Sequence, residues 1–219
     1  MSEESKLQQF GKYFGTDKHD LNHTYAGQSY LEVYNKYLSD IRKNDVTFLE
    51  IGVKDGESHR MWSHYFSKDS KIYGIDIDPR CKATEKQNIK IFIGSQSDPS
   101  IIDQLVEDAK GQFDVILDDG SHVNELTIKS FNLLFPHLKS GGLYIIEDLG
   151  CSYMEENLSE EIQKGAWPGM QYNKDVAFVN NRKDMDNFFF NIIKDIDLSN
   201  NNLYEWVHFY SKIAIIKKQ

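Results

Sequence analysis

A chain of 219 residues suits one α/β domain with a core of its own, and 40% hydrophobic with 13% aromatic residues excludes a disordered polymer. The formal charge of −9, with no basic run beyond Lys217-Lys218, excludes nucleic acid and anionic membrane surfaces as favoured partners. Cys81 and Cys151 lack metal-type spacing and no apolar run approaches ~18 residues, so the expectation is a reducing cytoplasm, no disulfide framework and no membrane span. Met1-Ser2-Glu3-Glu4 does not read as a signal peptide.

Residues 1–45 form a polar, mostly helical N-terminal segment, and residues 46–219 a single domain. Gly11 to Lys18 reads as a loop. Ser29 to Ile41 carries Tyr30, Val33, Tyr34, Tyr37, Leu38 and Ile41 at helical spacing. This segment is either a helix packed on a sheet or a lid presenting Asp17, Lys18, His23 and Tyr25 to a site. Val46–Gly52 is the first strand, followed by a turn with Gly52 and Gly56 and a helix carrying Met61, Trp62, Tyr65 and Phe66. Glycines there let backbone approach a ligand closely, although a plain tight turn explains them as well. Lys54 breaks the G-x-G-x-x-G pattern, which disfavours a dinucleotide pyrophosphate site.

Lys71–Asp78 is the second strand. Asp76 follows Glu50 by close to the ~20-residue offset at which a carboxylate meets ribose hydroxyls in nucleotide folds. Asn88–Gly94 is the third strand, and the loop after it offers Ser95, Gln96 or Ser97 to a purine edge, with Asp98 and Pro99 opening a helix over 101–109. Phe113–Asp118 is a short apolar run ending in Asp118-Asp119-Gly120-Ser121-His122. A helix over 123–138 comes next, then a fifth strand, Leu143–Ile146, ending in Glu147-Asp148. Parallel neighbours of this kind lie about 4.8 Å apart and would converge four carboxylates at one sheet end, where a cation relieves their repulsion. Either pair alone also fits an ordinary turn or cap. Residues 149–184 read as an inserted lid loop, 186–196 as a helix, and 205–210 with 212–217 as an antiparallel hairpin.

Five helix-alternating strands and a terminal hairpin resemble the Rossmann-like class I S-adenosylmethionine methyltransferase fold. That resemblance implies an α/β architecture with a mostly parallel seven-stranded sheet, a C-terminal antiparallel hairpin and helices on both faces. Gly15-Thr16-Asp17-Lys18, Phe48-Leu49-Glu50-Ile51-Gly52, Asp118 to His122, Ile146-Glu147-Asp148-Leu149 and Val207-His208-Phe209-Tyr210 together look like the metal-dependent macrolide-sugar O-methyltransferases. The likeness runs from about residue 8 to 217, and its specific part is D-D-G-S-H with E-D on the next strand.

The resemblance implies roles. Asp119, Glu147 and Asp148 would hold a divalent metal, and His122 would be the general base. S-adenosylmethionine would meet Glu50, Gly52, Gly56, Asp76, Gln96 and Asp118. The Gly52–Gly56 turn faces its methionine end, Asp76 its ribose, Gln96 its purine, and Asp118 its sulfonium or ammonium. Ser95 departs from the acidic residue common before the purine contact. The implied partner is a small-molecule saccharide, free, nucleotide-linked, in a capsule or lipopolysaccharide, or on a natural product, acted on by a homo-oligomer. Carboxylate ligands are hard, which favours magnesium, with manganese or calcium next; zinc prefers His or Cys. A catechol-type acceptor and a non-catalytic binding module are the competing readings.

Overall fold

The structure, a computed structural model, describes residues 4–20, 28–153, 180–199 and 202–219. Seven strands form one sheet: β1 (Thr47–Ile51), β2 (Lys71–Asp76), β3 (Ile89–Ile93), β4 (Phe113–Asp118), β5 (Leu138–Ile146), β6 (Tyr204–Tyr210) and β7 (Ile213–Lys218). The order is β3-β2-β1-β4-β5-β7-β6. Strands β1 to β5 are parallel, and β7 lies antiparallel between β5 and β6. The order reverses between β1 and β4, which opens a crevice at their carboxyl ends.

Helices cover both faces, so the central strands are apolar on both sides and read as runs rather than alternations. Phe48, Val115, Leu117 and Ile145 pack with α1 (Lys6–Phe14), α2 (Tyr30–Leu38) and α3 (Glu57–Tyr65). Leu49, Ile51, Ile116 and Ile146 pack with α4 (Pro99–Asp108), α5 (Asn124–Leu134) and α6 (Arg182–Leu198). Leu7, Leu31, Tyr34 and Leu38 are buried in the same cluster as β1, so the N-terminal segment shares the core of the domain that follows it. Full burial of one such side chain contributes roughly 1.5–3 kcal/mol. Ser29 starts α2 with a capping box, its hydroxyl accepting from the Glu32 amide while the Glu32 carboxylate accepts from the Ser29 amide. Among the described residues, no helix is long and apolar enough to cross a membrane.

Several boundaries differ from those predicted. The Gly11–Lys18 loop is half helix, because α1 runs through Gly11 to Phe14. A Cβ at Gly11 would lie 2.2 Å from Leu31 Cδ1, so glycine is there for helix contact. Strand β2 ends at Asp76, and Asp78 caps a short 3-10 turn over Pro79–Thr84. The helix after His122 ends at Leu134, and β5 begins at Leu138, paired with Phe113. The register then slips at a bulge before Leu143 pairs with Val115, with Gly141 at φ 76°. Of the predicted insertion, Leu149–Tyr153 forms a 3-10 turn and α6 starts at Arg182, capped by Asn181; residues 154–179, with His23 and Tyr25, lie outside the described residues.

Candidate active site

A cavity of about 410 Å³ opens at the carboxyl ends of β1, β2 and β4. Its first half is built from backbone. Gly52 sits at φ 91°, and a Cβ there would lie 2.1 Å from the carbonyl oxygen of Asp119, so only glycine lets the first turn press against the fourth. Asp76 holds that turn in place. Its Oδ2 accepts from the amides of Val53 (2.8 Å) and Lys54 (3.1 Å), and its Oδ1 from the amide of Asp78 (2.8 Å). The carboxylate borders the cavity while bracing its rim.

Strand parity decides where the acids of the second half go, because successive side chains point to opposite faces. Glu50 and Glu147 follow Phe48 and Ile145 toward α2 and α3. Asp118 follows Ile116 toward α5, where the Ser130 hydroxyl (2.7 Å), the Gln96 amide (3.2 Å) and the Gly120 amide (3.2 Å) donate to it. Burial pushes the Asp118 carboxyl up to about 6 against those donors. Asp119 stands one residue past β4 and Asp148 two past β5, and both border the cavity.

Three side chains from the N-terminal segment meet these acids. Tyr30 donates its phenol to Asp148, and Tyr34 donates to Glu147 Oε1 at 2.5 Å. Lys18, only 3% exposed, donates to Asp119 and to Glu147 Oε2 (2.7 Å), and its ammonium lies 3.4 Å from Glu50 Oε1. Burial opposes that charge, but Asp119, Glu147 and Glu50 outweigh it and hold the Lys18 ammonium well above its ordinary range. Burial, with Asp119 beside it, pushes the Glu147 carboxyl up although Lys18 pulls it back. Burial likewise pushes Glu50 up to about 7, against the Lys18 charge and the Ser58 hydroxyl (2.8 Å); the Trp62 indole also donates to it (3.1 Å).

His122 and Asp148 both adopt left-handed backbone conformations, at φ 55° and 51°. Non-glycine residues rarely do so, and such strain gathers at functional sites. Asn180 secures the histidine: its side-chain amide donates to the carbonyls of His122 and Cys151, both at 2.8 Å, and accepts from the Asn124 amide at 2.8 Å. His122 Nε2 then lies 3.7 Å from Asp148 Oδ2 and 3.9 Å from Asp119 Oδ1. Asp119, His122 and Asp148 each offer a ligand atom within 4.8 Å of the others. Two carboxylates and an imidazole around one point, with an ammonium already drawn to their edge, suit a divalent cation, the carboxylates a hard one and the imidazole a borderline one.

Of the predicted site residues, Gly52, Asp76, Gln96, Asp119, His122 and Asp148 border the cavity. Glu50, Asp118 and Glu147 are buried behind it, and Gly56 packs against Thr84. Asp118 therefore faces α5 rather than the space a sulfonium would fill. Tyr30, Tyr34 and Asn180 had no signal of their own in the sequence. The two tyrosines read as an apolar helix face, and their phenols acquire partners only when β5 arrives beneath them. The Val207–Tyr210 run lies on β6, where His208 Nδ1 (2.8 Å) and Tyr210 Oη (2.7 Å) meet Tyr37 Oη of α2.

Fold and site together define a class I methyltransferase architecture, and residues 49–149 match the family model of the methyltransferase domain. The chain is also similar to sugar O-methyltransferases. It is 42% identical over 127 residues to demethylmacrocin O-methyltransferase of Streptomyces fradiae, covering 55% of this chain and 31% of that protein. It is 37% identical over 146 residues to 8-demethyl-8-alpha-L-rhamnosyl tetracenomycin-C 2'-O-methyltransferase of Streptomyces olivaceus, covering 64% and 36%. The MycE methyltransferase from the mycinamycin biosynthetic pathway, solved in complex with Mg and SAH, superposes with a TM-score of 0.74 at 27% identity, over 99% of this chain and 55% of MycE. The chain thus spans about a third of these curated relatives and about half of MycE.

Proposed function

We propose that this chain transfers a methyl group from S-adenosylmethionine to a hydroxyl of a saccharide, with Asp119, Glu147 and Asp148 holding a divalent cation and His122 acting as general base. The observation that carries the reading is the meeting of Asp119, His122 and Asp148 at the edge of a cavity whose other rim is Asp76 and the Gly52 turn. When bound, the cation would lower the pKa of an acceptor hydroxyl and the cofactor would supply an activated methyl group. Asp76 would accept from ribose hydroxyls, the Gly52 turn would admit the methionine end, and Gln96 would border the purine. Asp119 and Asp148 would be the outer cation ligands, and Glu147, kept in place by Tyr34, the inner one. His122 would take the acceptor's proton at Nε2, the atom already turned toward both aspartates, and imidazole is a competent base near neutrality. Proximity does the remaining work, since sulfonium chemistry is favourable once the atoms are in line. The acceptor is a small sugar, and the names of the relatives favour one attached to a natural product over a capsular or lipopolysaccharide unit.

The test is titration calorimetry of the protein with S-adenosylhomocysteine and with magnesium, before and after Asp119→Ala. Binding of both by the wild type, with magnesium binding lost and S-adenosylhomocysteine binding kept in the variant, is the expected result. Failure to bind S-adenosylhomocysteine would overturn the methyltransferase reading. Magnesium binding unchanged by Asp119→Ala would overturn the metal assignment.

A further inference from the structure

Among the described residues, Lys18 is the only buried lysine or arginine. It comes from a short turn between α1 and α2, far in sequence from the acids it meets. Its ammonium touches Asp119 and Glu147, lies 3.4 Å from Glu50, and occupies the inner side of the cluster while Asp148 and His122 occupy the outer side. Burying an ammonium is costly, and a buried ion pair is often no more stabilising than apolar groups of the same volume. Anchoring the turn alone would not require a charge at this position. What a charge does here, and an apolar side chain cannot, is alter the electrostatic potential that Asp119, Glu147 and Asp148 present to a cation.

We infer that Lys18 is a positioning residue that sets the charge of the acid cluster, cancelling one unit of it so that the site matches a divalent rather than a trivalent cation. The inference rests on the metal reading given above. Coulomb repulsion scales with the product of the charges, so one fixed ammonium opposes a trication half as strongly again as a dication at the same point. Hydrogen bonding through the same nitrogen keeps Asp119 Oδ2 and Glu147 Oε2 together, leaving the other oxygens of Asp119 and Asp148 to converge with His122. A cluster lacking the ammonium keeps its carboxylates but loses its discrimination by charge.

The experiment measures magnesium affinity by calorimetry and terbium(III) affinity by luminescence, in wild type, Lys18→Met and Lys18→Arg. The informative quantity is the ratio of the two dissociation constants. In Lys18→Met the preference for terbium over magnesium should rise by about tenfold or more, while Lys18→Arg, which keeps the charge, should stay within about threefold of wild type. A lysine that only braces the fold would move both affinities by one factor, and an unchanged ratio in Lys18→Met overturns the inference. If Lys18→Met is unfolded without metal, circular dichroism follows its refolding, and terbium should restore structure at lower concentration than magnesium. No restoration by either ion counts against the inference. A wild-type chain that binds neither ion would overturn the metal reading itself, a result distinct from an unchanged ratio.

Discussion

The two halves of the cavity are assembled in different ways. On the β1–β2 side, Asp76 takes backbone amides from residues 2, 22 and 23 positions away, and the contacts depend on main-chain geometry. On the β4–β5 side, side chains meet side chains across 101 positions for Lys18 and Asp119, 113 for Tyr34 and Glu147, and 118 for Tyr30 and Asp148. The Gly52 turn needs only glycine at its bend and the Asp76 carboxylate on its amides. A cluster of like charges must be neutralised and held apart, and that takes groups brought from elsewhere in the fold. The backbone half is therefore robust and general, whereas the acid half is specific and depends on the whole tertiary structure.

Substitutions should separate the halves. The largest effect is expected from His122→Ala, which should reduce turnover by about 10²- to 10⁴-fold while leaving S-adenosylhomocysteine affinity within about twofold. A matching fall in cofactor affinity would show that the halves do not act independently. Next, Asp76→Ala should weaken S-adenosylhomocysteine binding by about 10- to 100-fold in calorimetry, the loss expected for hydrogen bonds to a charged group, with magnesium affinity unchanged. Loss of magnesium binding in that variant would merge the two halves.

The smallest effect concerns stability against pH. Glu50, raised from about 4.5 to about 7 by burial, contributes stability that is complete below 4.5 and lost as pH rises through 7. His59 beside it, lowered from about 6.5 to about 4 chiefly by burial, contributes the opposite slope, with stability present above 6.5 and lost as pH falls through 4. Glu50→Gln should remove the first slope and leave the second, changing stability across pH 4.5–7 by on the order of 1–3 kcal/mol in chelator-treated samples unfolded with urea. An unaltered pH profile would mean that Lys18 keeps Glu50 ionised throughout.

The same contrast explains what the sequence could be read for. Strand runs, the Gly52 turn and the acid-terminated strands are local patterns, and each lies within a few residues of where its pattern placed it. D-D-G-S-H and E-D were legible as a cluster because parallel neighbours must end together. Which oxygen faces the cavity was not, because it depends on strand parity carried past the last hydrogen-bonded residue; Asp118 and Glu147 turn to opposite sides of the sheet on that account. Lys18 was visible in the Gly15–Lys18 motif and as a side chain that a lid would present to a site, but nothing nearby in sequence reveals the three carboxylates it meets. The early start of β5 was hidden by Gly141-Gly142, a pair that reads as a break and forms a bulge.

The close approach of α1 to α2 at Gly11 has a mechanical consequence. Leu31, which fills the space beside that glycine, adjoins Tyr30, and the same helix carries Tyr34 and Tyr37. Helix α2 thus works as a rigid key whose teeth fit Asp148, Glu147 and the end of β6, with Gly11 as the notch that lets it seat. A single added methyl group at residue 11, touching neither cavity nor acid, would force the end of the Leu31 side chain to move within the helix that carries those phenols.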